Sequence, residues 1–160
     1  MYKVLFVCIG ATCRSPMASM LFNKKIKNYN LSGVTSSFSG LSVQYDSKIN
    51  PNSKQALKDY GIFRILKKPI QLSSKLIVDS DLIVCMEEDY KQAMCLTVSD
   101  KNKSKVFCTK DFCGFDIKDP FGGTAEQYKS CLRQIDVALE KIIGVLLGNG
   151  IAKYKKSKSI

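Results

Sequence analysis

Four short apolar runs alternate with longer amphipathic stretches along the chain, and this alternation constrains the fold more than any other feature. The apolar runs predict β-strands at residues 4–7, 34–38, 81–86 and 105–107, and helical periodicity predicts helices at residues 17–26, 50–60, 88–96 and 125–147. Strands that alternate with helices favour a parallel sheet. The sequence therefore predicts an α/β fold, a single-domain three-layer sandwich with a four-stranded parallel sheet and helices on both faces.

The chain has 160 residues, a length that suits one domain with its own hydrophobic core. We assign residues 1–147 to this domain. Residues 148–160 form a basic C-terminal tail, predicted to be mobile, with lysines at Lys153, Lys155, Lys156 and Lys158. No run of about 18 apolar residues occurs, and the first residues lack the pattern of a signal peptide. We therefore expect a cytoplasmic protein without a membrane partner.

Cysteine and charge content narrow the function classes. The chain has seven cysteines and no histidine, a composition that favours reduced thiols and argues against zinc. Lysine and arginine number 25 against 14 acidic residues, a net charge of +11. A solvated lysine-rich surface explains this excess most simply, and attraction of anionic substrates is the alternative. No basic stripe with interleaved aromatic residues occurs, so we expect no nucleic-acid partner.

The segment from Cys8 to Ser15 joins the first predicted strand to the first predicted helix, where parallel sheets bind ligands. Such a loop can point its backbone N–H groups inward around an anion. Gly10 permits backbone angles closed to other residues, and Arg14 can hold two phosphate oxygens. These donors favour a thiolate at Cys8, and Ser15 Oγ can donate to its sulfur. The candidate phosphate-binding residues are Ile9, Gly10, Ala11, Thr12, Cys13, Arg14 and Ser15.

Asp119 is the candidate general acid. A thiolate nucleophile cannot protonate a leaving group, so phosphoryl transfer through Cys8 needs a separate proton donor. Pro120 stiffens the turn that follows, and two glycines further on allow close approach. Taken singly, Asp119 is part of an ordinary turn and Cys8 is a buried strand cysteine. Together they predict a cysteine-dependent phosphatase with Cys8, Arg14 and Asp119 as catalytic residues.

This combination resembles the low-molecular-weight protein tyrosine phosphatases. The similarity spans residues 4–147 and includes the loop of residues 8–15, Asp119-Pro120, Ser39-Gly40, residues 82–86 and the strand order. It implies that Cys8 forms a phosphocysteine while Arg14 and the loop amides stabilise the equatorial oxygens. Asp119 then protonates the leaving group and later activates water. The resemblance further implies a monomeric hydrolase without cofactor or metal, which acts on phosphorylated proteins and holds phosphate or another oxyanion in the loop.

Two loop residues modify what the resemblance implies. The family usually has an asparagine where this chain has Ala11, and that side chain helps hold the loop, partly through the serine matched by Ser39. Its loss removes a hydrogen bond worth about 1 kcal/mol, which slows the chemistry without abolishing it. Family members commonly carry a second loop cysteine, here Cys13. The resemblance implies a reversible disulfide between Cys13 and Cys8 that prevents irreversible oxidation, and simple loop packing is the alternative.

Thr12 bears on the substrate. Tyrosine-directed members usually have an apolar residue here, whereas a bacterial protein-arginine-phosphatase branch has threonine and also resembles residues 119–123. The hydroxyl of Thr12 and the carboxylate of Asp119 can each accept an N–H of a guanidinium, and an unpaired donor would cost about 1–3 kcal/mol. Phe121 and Tyr45 are further candidate pocket residues, although Tyr45 could stack on a guanidinium or on a tyrosine ring. The sequence favours protein phosphoarginine, with protein phosphotyrosine as the alternative.

Two other functions stay open on the sequence alone. A relative with this fold reduces arsenate with the loop cysteine and two later cysteines, a role for which Cys108 and Cys113 are better placed than Cys85 or Cys95. A phosphate-binding pseudo-enzyme is the second, and Ala11 is its only support.

Overall fold

The computed structural model describes residues 1–155. In chain order its elements are β1 (Tyr2–Cys8), α1 (Arg14–Asn28), β2 (Leu31–Ser32), β3 (Val34–Gly40), α2 (Pro51–Lys58), α3 (Ser74–Asp79), β4 (Leu82–Cys85), α4 (Glu88–Thr97), α5 (Asp100–Lys103), β5 (Val106–Cys108), α6 (Thr109–Cys113), α7 (Ala125–Gly148) and β6 (Lys153–Tyr154). Four strands form a sheet in the order β3-β1-β4-β5, and every neighbouring pair is parallel. The predicted α/β sandwich with a four-stranded parallel sheet is confirmed.

The position of β1 at the centre of the sheet follows from its sequence. Residues 4–7 are apolar and fully buried, as expected for a strand that pairs on both edges and is covered on both faces. Successive side chains point to opposite faces of the sheet. Phe6 packs in the core shared with α1, α2 and α7, whereas Val7 packs in the core that α3 and α4 cover. The carboxyl end of β1, which carries Cys8, is therefore held from both faces and both edges.

The carboxyl ends of three strands meet around Cys8. Cys8 pairs with Gly40 at the end of β3, and Val7 pairs with Cys85 at the end of β4. The connecting segments that follow β1, β3 and β4 consequently start side by side at one edge of the sheet. Ligands of parallel sheets bind at this edge.

A capping box fixes the start of α7. Thr124 Oγ1 accepts a hydrogen bond from Gln127 N, and Gln127 Oε1 accepts one of 2.7 Å from Thr124 N. The helix presents an apolar stripe to the core that includes Leu132, Ile135 and Leu139. Because α7 begins directly after the segment that carries the predicted acid, this cap also fixes the end of that segment.

Five short elements are missing from the sequence prediction, namely α3, α5, α6, β2 and β6. None is longer than six residues, so their sequences contain too little periodicity to predict a helix or strand. The predicted helices and strands that build the sandwich are present, with bounds that differ by a few residues.

The chain beyond α7 packs against the domain, in contrast to the mobile tail predicted from residue 148. Gly150 adopts a φ of 69°, which turns the chain back so that Ile151 N donates to Leu146 O at 2.9 Å. Ala152 is buried, and β6 pairs antiparallel with β2. Lys156 and Lys158 of the predicted tail lie outside the described residues. Within residues 1–155, no helix is long and apolar enough to cross a membrane.

Candidate active site

The loop that joins β1 to α1 rests on the end of β3. Leu41 N donates to Cys8 O at 2.9 Å and so ties the start of the loop to the residue after β3. A Cβ at Gly40 would lie 2.4 Å from Ile9 O and 2.9 Å from Ala11 N, closer than atoms can approach. Only glycine fits at this place, so the path of the loop depends on the neighbouring strand.

The backbone N–H groups of residues 9–13 have no hydrogen-bond acceptor within the described part of the chain. Buried N–H groups are nearly always paired in folded proteins. A row of unpaired donors in one loop is therefore suited to an oxyanion. The first turn of α1 begins at Arg14 and places the positive end of the helix dipole beside the same loop.

Ala11, rather than Gly10, has the unusual backbone conformation in this loop. Its φ is 55°, in the left-handed region that disfavours side chains other than those of asparagine and aspartate. The sequence predicted this role for Gly10, whose Cβ position is open, with Thr12 Oγ1 nearest at 3.7 Å. Nearby, Ser39 Oγ is buried without a hydrogen-bond partner in residues 1–155. The resemblance implies an asparagine at position 11, where this chain has alanine. The positive φ of Ala11 and the unpaired hydroxyl of Ser39 are both expected when that asparagine is missing.

Cys8 is buried at the base of the loop, with its Sγ 3.0 Å from Ser15 Oγ. Ser15 Oγ is also 3.1 Å from Ser39 O, which can accept its proton. A hydroxyl has one proton, so Ser15 donates either to this carbonyl or to the sulfur. A thiolate at Cys8 is the stronger acceptor, and donation from Ser15 stabilises its negative charge.

Arg14 has the largest fully buried side chain among the described residues. Four oxygen atoms surround its guanidinium: Glu87 Oε1 at 3.0 Å and Ile117 O at 2.7 Å from Nη1, and Tyr90 OH at 2.9 Å and Asp119 Oδ2 at 3.6 Å from Nη2. Burial lowers the pKa of Arg14, but the hydrogen bond to Tyr90 and the charges of Cys8 and Asp119 outweigh burial, so the pKa is raised. Arg14 therefore keeps its positive charge in a buried position.

Sequence reasoning missed Glu87 and Tyr90. Glu87 directly precedes α4 and Tyr90 lies in its first turn, so both follow the end of β4. They reach Arg14 because β4 lies next to β1 in the sheet. Polar residues that directly follow a central strand were the available signal for these two positions.

Asp119 lies at the mouth of the site on the segment between α6 and α7, where its side chain is half exposed. Its Oδ1 accepts a hydrogen bond of 3.0 Å from Phe121 N. Gly123 N donates to Pro120 O at 2.8 Å, and Gly122 has a φ of 77°, so the chain makes a tight turn that holds Asp119 towards Arg14. The structure thus brings the predicted acid to the predicted phosphate loop.

A cavity of about 340 Å³ opens above Cys8. Its walls are formed by Cys8, Ile9, Gly10, Thr12, Cys13, Arg14, Ser42, Gln44, Ser47, Asp119 and Phe121. Of the predicted site residues, Ala11 and Ser15 are buried below this cavity and Tyr45 does not reach it. Ser42, Gln44 and Ser47 were not predicted, because their loop has no motif and is brought to the site by β3.

Tyr45 is fully exposed, contrary to its prediction as a pocket residue. Ser47 N donates to Gln44 O at 3.2 Å and Asp46 has a φ of 56°, which together make a tight turn. Tyr45 lies at the tip of this turn and points into solvent. Gln44 and Ser47, at the two ends of the turn, contact the cavity instead.

Thr12 and Cys13 complete the loop. Thr12 O accepts hydrogen bonds from Asn50 N at 3.0 Å and from Ser53 Oγ at 3.2 Å, which attach the loop to the start of α2. Within residues 1–155 the one hydrogen-bond partner of the Thr12 hydroxyl is the sulfur of Cys13, at 3.5 Å, so the hydroxyl is available to a ligand. Cys13 Sγ lies 3.3 Å from Tyr128 OH. Cys13 and Cys8 are both free thiols.

Among residues 1–155, no three His, Cys, Asp or Glu side chains are arranged to hold a metal ion.

A cysteine at the end of a central strand, a buried arginine and a loop of unpaired amides define a family of phosphatases. The chain belongs to the low molecular weight phosphotyrosine protein phosphatase family, whose model matches residues 3–157. The family predicted from the sequence is confirmed, and the protein is a low molecular weight protein phosphatase.

Its relatives include both arginine and tyrosine phosphatases. It is 31% identical over 144 residues to a protein-arginine-phosphatase of Geobacillus stearothermophilus, covering 88% of this chain and 93% of that one. It is 27% identical over 145 residues to the low molecular weight protein-tyrosine-phosphatase PtpB of Staphylococcus haemolyticus, covering 88% and 96%. The YwlE arginine phosphatase, solved as a Cys-to-Ser variant with a phosphorylated active-site serine, superposes with a TM-score of 0.83 at 28% identity, covering 91% and 95%.

Proposed function

We propose that this protein is a protein-arginine phosphatase that acts through a phosphocysteine on Cys8. The residues that line the cavity beyond the loop carry the proposal, because four of the five, Ser42, Gln44, Ser47 and Asp119, have polar side chains and Phe121 is the one aromatic residue among them. A phosphorylated guanidinium presents several N–H donors that need acceptors, whereas a phosphotyrosine ring favours apolar and aromatic walls. The protein-arginine-phosphatase among its relatives supports the same substrate.

In the first step the Cys8 thiolate attacks phosphorus and the bond from phosphorus to the arginine nitrogen breaks. Asp119 donates its proton to that nitrogen, so the substrate protein leaves with an unmodified arginine side chain and a phosphocysteine forms. Arg14 and the amides of residues 9–13 bind the equatorial oxygens, where charge builds up in the transition state. The position of Asp119, 3.6 Å from Arg14, fits a proton donor on the side from which the leaving group departs.

In the second step a water molecule attacks the phosphocysteine. Asp119, now a carboxylate, accepts a proton from this water, and the bond from sulfur to phosphorus breaks. Inorganic phosphate is released and Cys8 returns as a thiolate, which Ser15 Oγ stabilises from 3.0 Å. The loop amides and Arg14 stabilise the negative charge of the phosphoryl group in both steps, and Asp119 transfers the protons.

The same proposal includes a monomer that acts on phosphorylated proteins in the cytoplasm, where its free thiols fit a reducing compartment. Cys13 is proposed to protect Cys8 by a reversible disulfide, since both thiols lie in the same cavity.

Arsenate reduction is less well supported than phosphatase activity. Cys85 and Cys108 are buried on neighbouring strands, and burial raises the pKa of both thiols above the ordinary value.

A paired turnover assay without added metal tests the substrate. Wild type, Thr12→Ile and, as a blank, Cys8→Ser are assayed on a phosphoarginine-bearing protein and on a phosphotyrosine peptide. We expect a higher kcat/KM for phosphoarginine, and a fall of about 10- to 100-fold for that substrate in Thr12→Ile, because one guanidinium donor loses its acceptor. A preference for phosphotyrosine in wild type would contradict the substrate, and turnover by Cys8→Ser would contradict the mechanism.

A further inference from the structure

We infer that Tyr90 is a positioning residue that fixes the guanidinium of Arg14 in the orientation that binds the transferred phosphoryl group. The inference rests on the proposed phosphatase function and adds a residue to its machinery. Tyr90 contacts Arg14 in two ways, through a hydrogen bond of 2.9 Å from Nη2 to its hydroxyl and through its ring, whose centre lies 5.2 Å from the guanidinium carbon. Tyr90 itself does not line the cavity, so it acts through Arg14.

The hydrogen bonds of Arg14 leave one edge of the guanidinium for phosphate. A guanidinium has five N–H donors. Glu87 and the carbonyl of Ile117 take both donors of Nη1, and Tyr90 takes one donor of Nη2. Within residues 1–155 no acceptor takes the Nε donor or the second Nη2 donor, since Asp119 Oδ2 lies 3.6 Å from Nη2, beyond hydrogen-bond distance. Two donors side by side match two oxygens of a phosphoryl group. Without Tyr90, rotation of the side chain would no longer be stopped at the Nη2 end.

The neutral hydroxyl of Tyr90 suits this role better than a second carboxylate. Burial raises the pKa of Tyr90 above the ordinary value, in spite of the nearby Arg14, and the carboxylate of Glu87 adds to the rise. Tyr90 therefore keeps its proton at neutral pH and accepts from Arg14 without a negative charge. Glu87 supplies the counter-charge at Nη1, away from the Nη2 atom that Tyr90 holds. The positive charge at the phosphate-binding edge is thus not neutralised by the residue that orients it.

The position of Tyr90 follows from the sheet. Because β4 is paired in register with β1, the first turn of α4 starts beside the phosphate loop. Tyr90 lies in that turn and its ring packs in the core under α4. Its hydroxyl is therefore held by the body of the domain, which gives Arg14 a rigid support of the kind that pre-organised sites require.

A double-mutant cycle with Tyr90→Phe and Arg14→Lys tests the inference. Phenylalanine keeps the ring and removes only the hydroxyl. We expect kcat of Tyr90→Phe to fall about tenfold, the rate equivalent of one hydrogen bond to a charged group, with KM changed by less than about threefold. In the Arg14→Lys background, Tyr90→Phe should change kcat/KM by less than about twofold, because lysine has no Nη2 to position. Tyr154→Phe, an exposed tyrosine on β6, is the matched control.

Each outcome decides the inference. An unchanged kcat for Tyr90→Phe, or an equal loss in both backgrounds, would show that Tyr90 serves stability alone and would overturn it. If wild type turns over no phosphorylated protein, the proposed function fails, and binding of orthovanadate measured by calorimetry decides instead. An affinity about tenfold weaker in Tyr90→Phe would then uphold the role of Tyr90. Equal affinities, or no binding by wild type, would refute it.

Discussion

Ala11 occupies a backbone position that favours asparagine, in a loop that lies beside an unpaired serine hydroxyl. Its φ of 55° is strained for alanine, and the buried Oγ of Ser39 has no partner within residues 1–155. Neither cost prevents the loop from forming. Together they lower the stability of the protein and the rate of its reaction, and a substitution at position 11 alone could remove both costs.

Ala11→Asn is expected to increase both the stability and the catalytic rate. Asparagine tolerates positive φ and can donate to Ser39 Oγ, so the free energy of unfolding should rise by about 1 kcal/mol and kcat should rise with it. Urea denaturation and steady-state kinetics measure both. Ala11→Gly is the matched control, because it relieves φ without a new hydrogen bond. A gain from asparagine no larger than that from glycine, or one that survives in Ser39→Ala, would contradict the hydrogen bond.

The sequence located the residues with distinctive chemistry better than those that depend on tight turns. Cys8, Arg14 and Asp119 were predicted from a motif, and the structure brings them together around one cavity. Tyr45 was placed wrongly in the pocket because its orientation is set by a turn at Asp46, for which aspartate gives only a weak signal. Tyr90 went unpredicted since its distance from Arg14 depends on sheet pairing, 76 residues apart in sequence.

At the scale of single elements, β3 acts as the support of the phosphate loop. Gly40 ends this strand and touches the loop so closely that any Cβ would meet the carbonyl of Ile9. The sequence matched Ser39-Gly40 to a family but gave no reason for the glycine. The reason is the close approach of two backbones, which no local pattern predicts.

Gly40→Ala is expected to displace the loop. The added Cβ must push Ile9 O from a distance of 2.4 Å, and a shift of about 1 Å in a catalytic loop lowers kcat/KM about 100-fold. Gly144→Ala is the matched control, because a Cβ there meets nothing within 4 Å and α7 should gain up to about 1 kcal/mol of stability with unchanged activity. Kinetics and thermal melts of both variants measure this. Wild-type activity in Gly40→Ala would show that the loop yields without cost.

Long elements were predicted well and short ones were not. Of the helices, α7 runs over 24 residues, and its apolar stripe repeats often enough to be read directly. By contrast, α3 and α6 have six and five residues, so their formation depends on tertiary packing rather than on their own periodicity.

At the scale of the whole molecule, an ion cluster links the first helix to the last. Lys25 on α1 contacts Asp136 and Glu140 on α7, and Tyr29 donates to Glu140. Burial raises the pKa of Glu140, but the hydrogen bonds from Lys25 and Tyr29 outweigh it, so the pKa lies below the ordinary value. A carboxyl with a lowered pKa stabilises the fold above its unfolded pKa and loses that contribution as pH falls through its folded pKa.

Glu140→Gln should therefore reduce the Tm at pH 7. The difference from wild type should begin to shrink near the unfolded pKa of glutamate, about 4.3, and disappear as pH falls through the lower pKa of the folded protein. Thermal melts of both proteins from pH 7 to pH 3 measure it. Glu126→Gln, which removes an exposed ion pair with Arg133, is the control and should change Tm little at any pH. A Tm difference for Glu140→Gln that is the same at pH 3 and pH 7 would contradict the assignment.

The phosphate loop is shaped by β1 and β3, Arg14 is held from the end of β4, and the segment that carries Asp119 is fixed at its end by the cap of α7. The catalytic geometry is therefore a property of several strand and helix ends in alignment, and no single element contains it. Heat that loosens one of these ends disturbs the geometry while the sheet below it is still paired. We therefore expect turnover to be lost at a lower temperature than the paired sheet, so that activity reports the state of this one edge of the sheet.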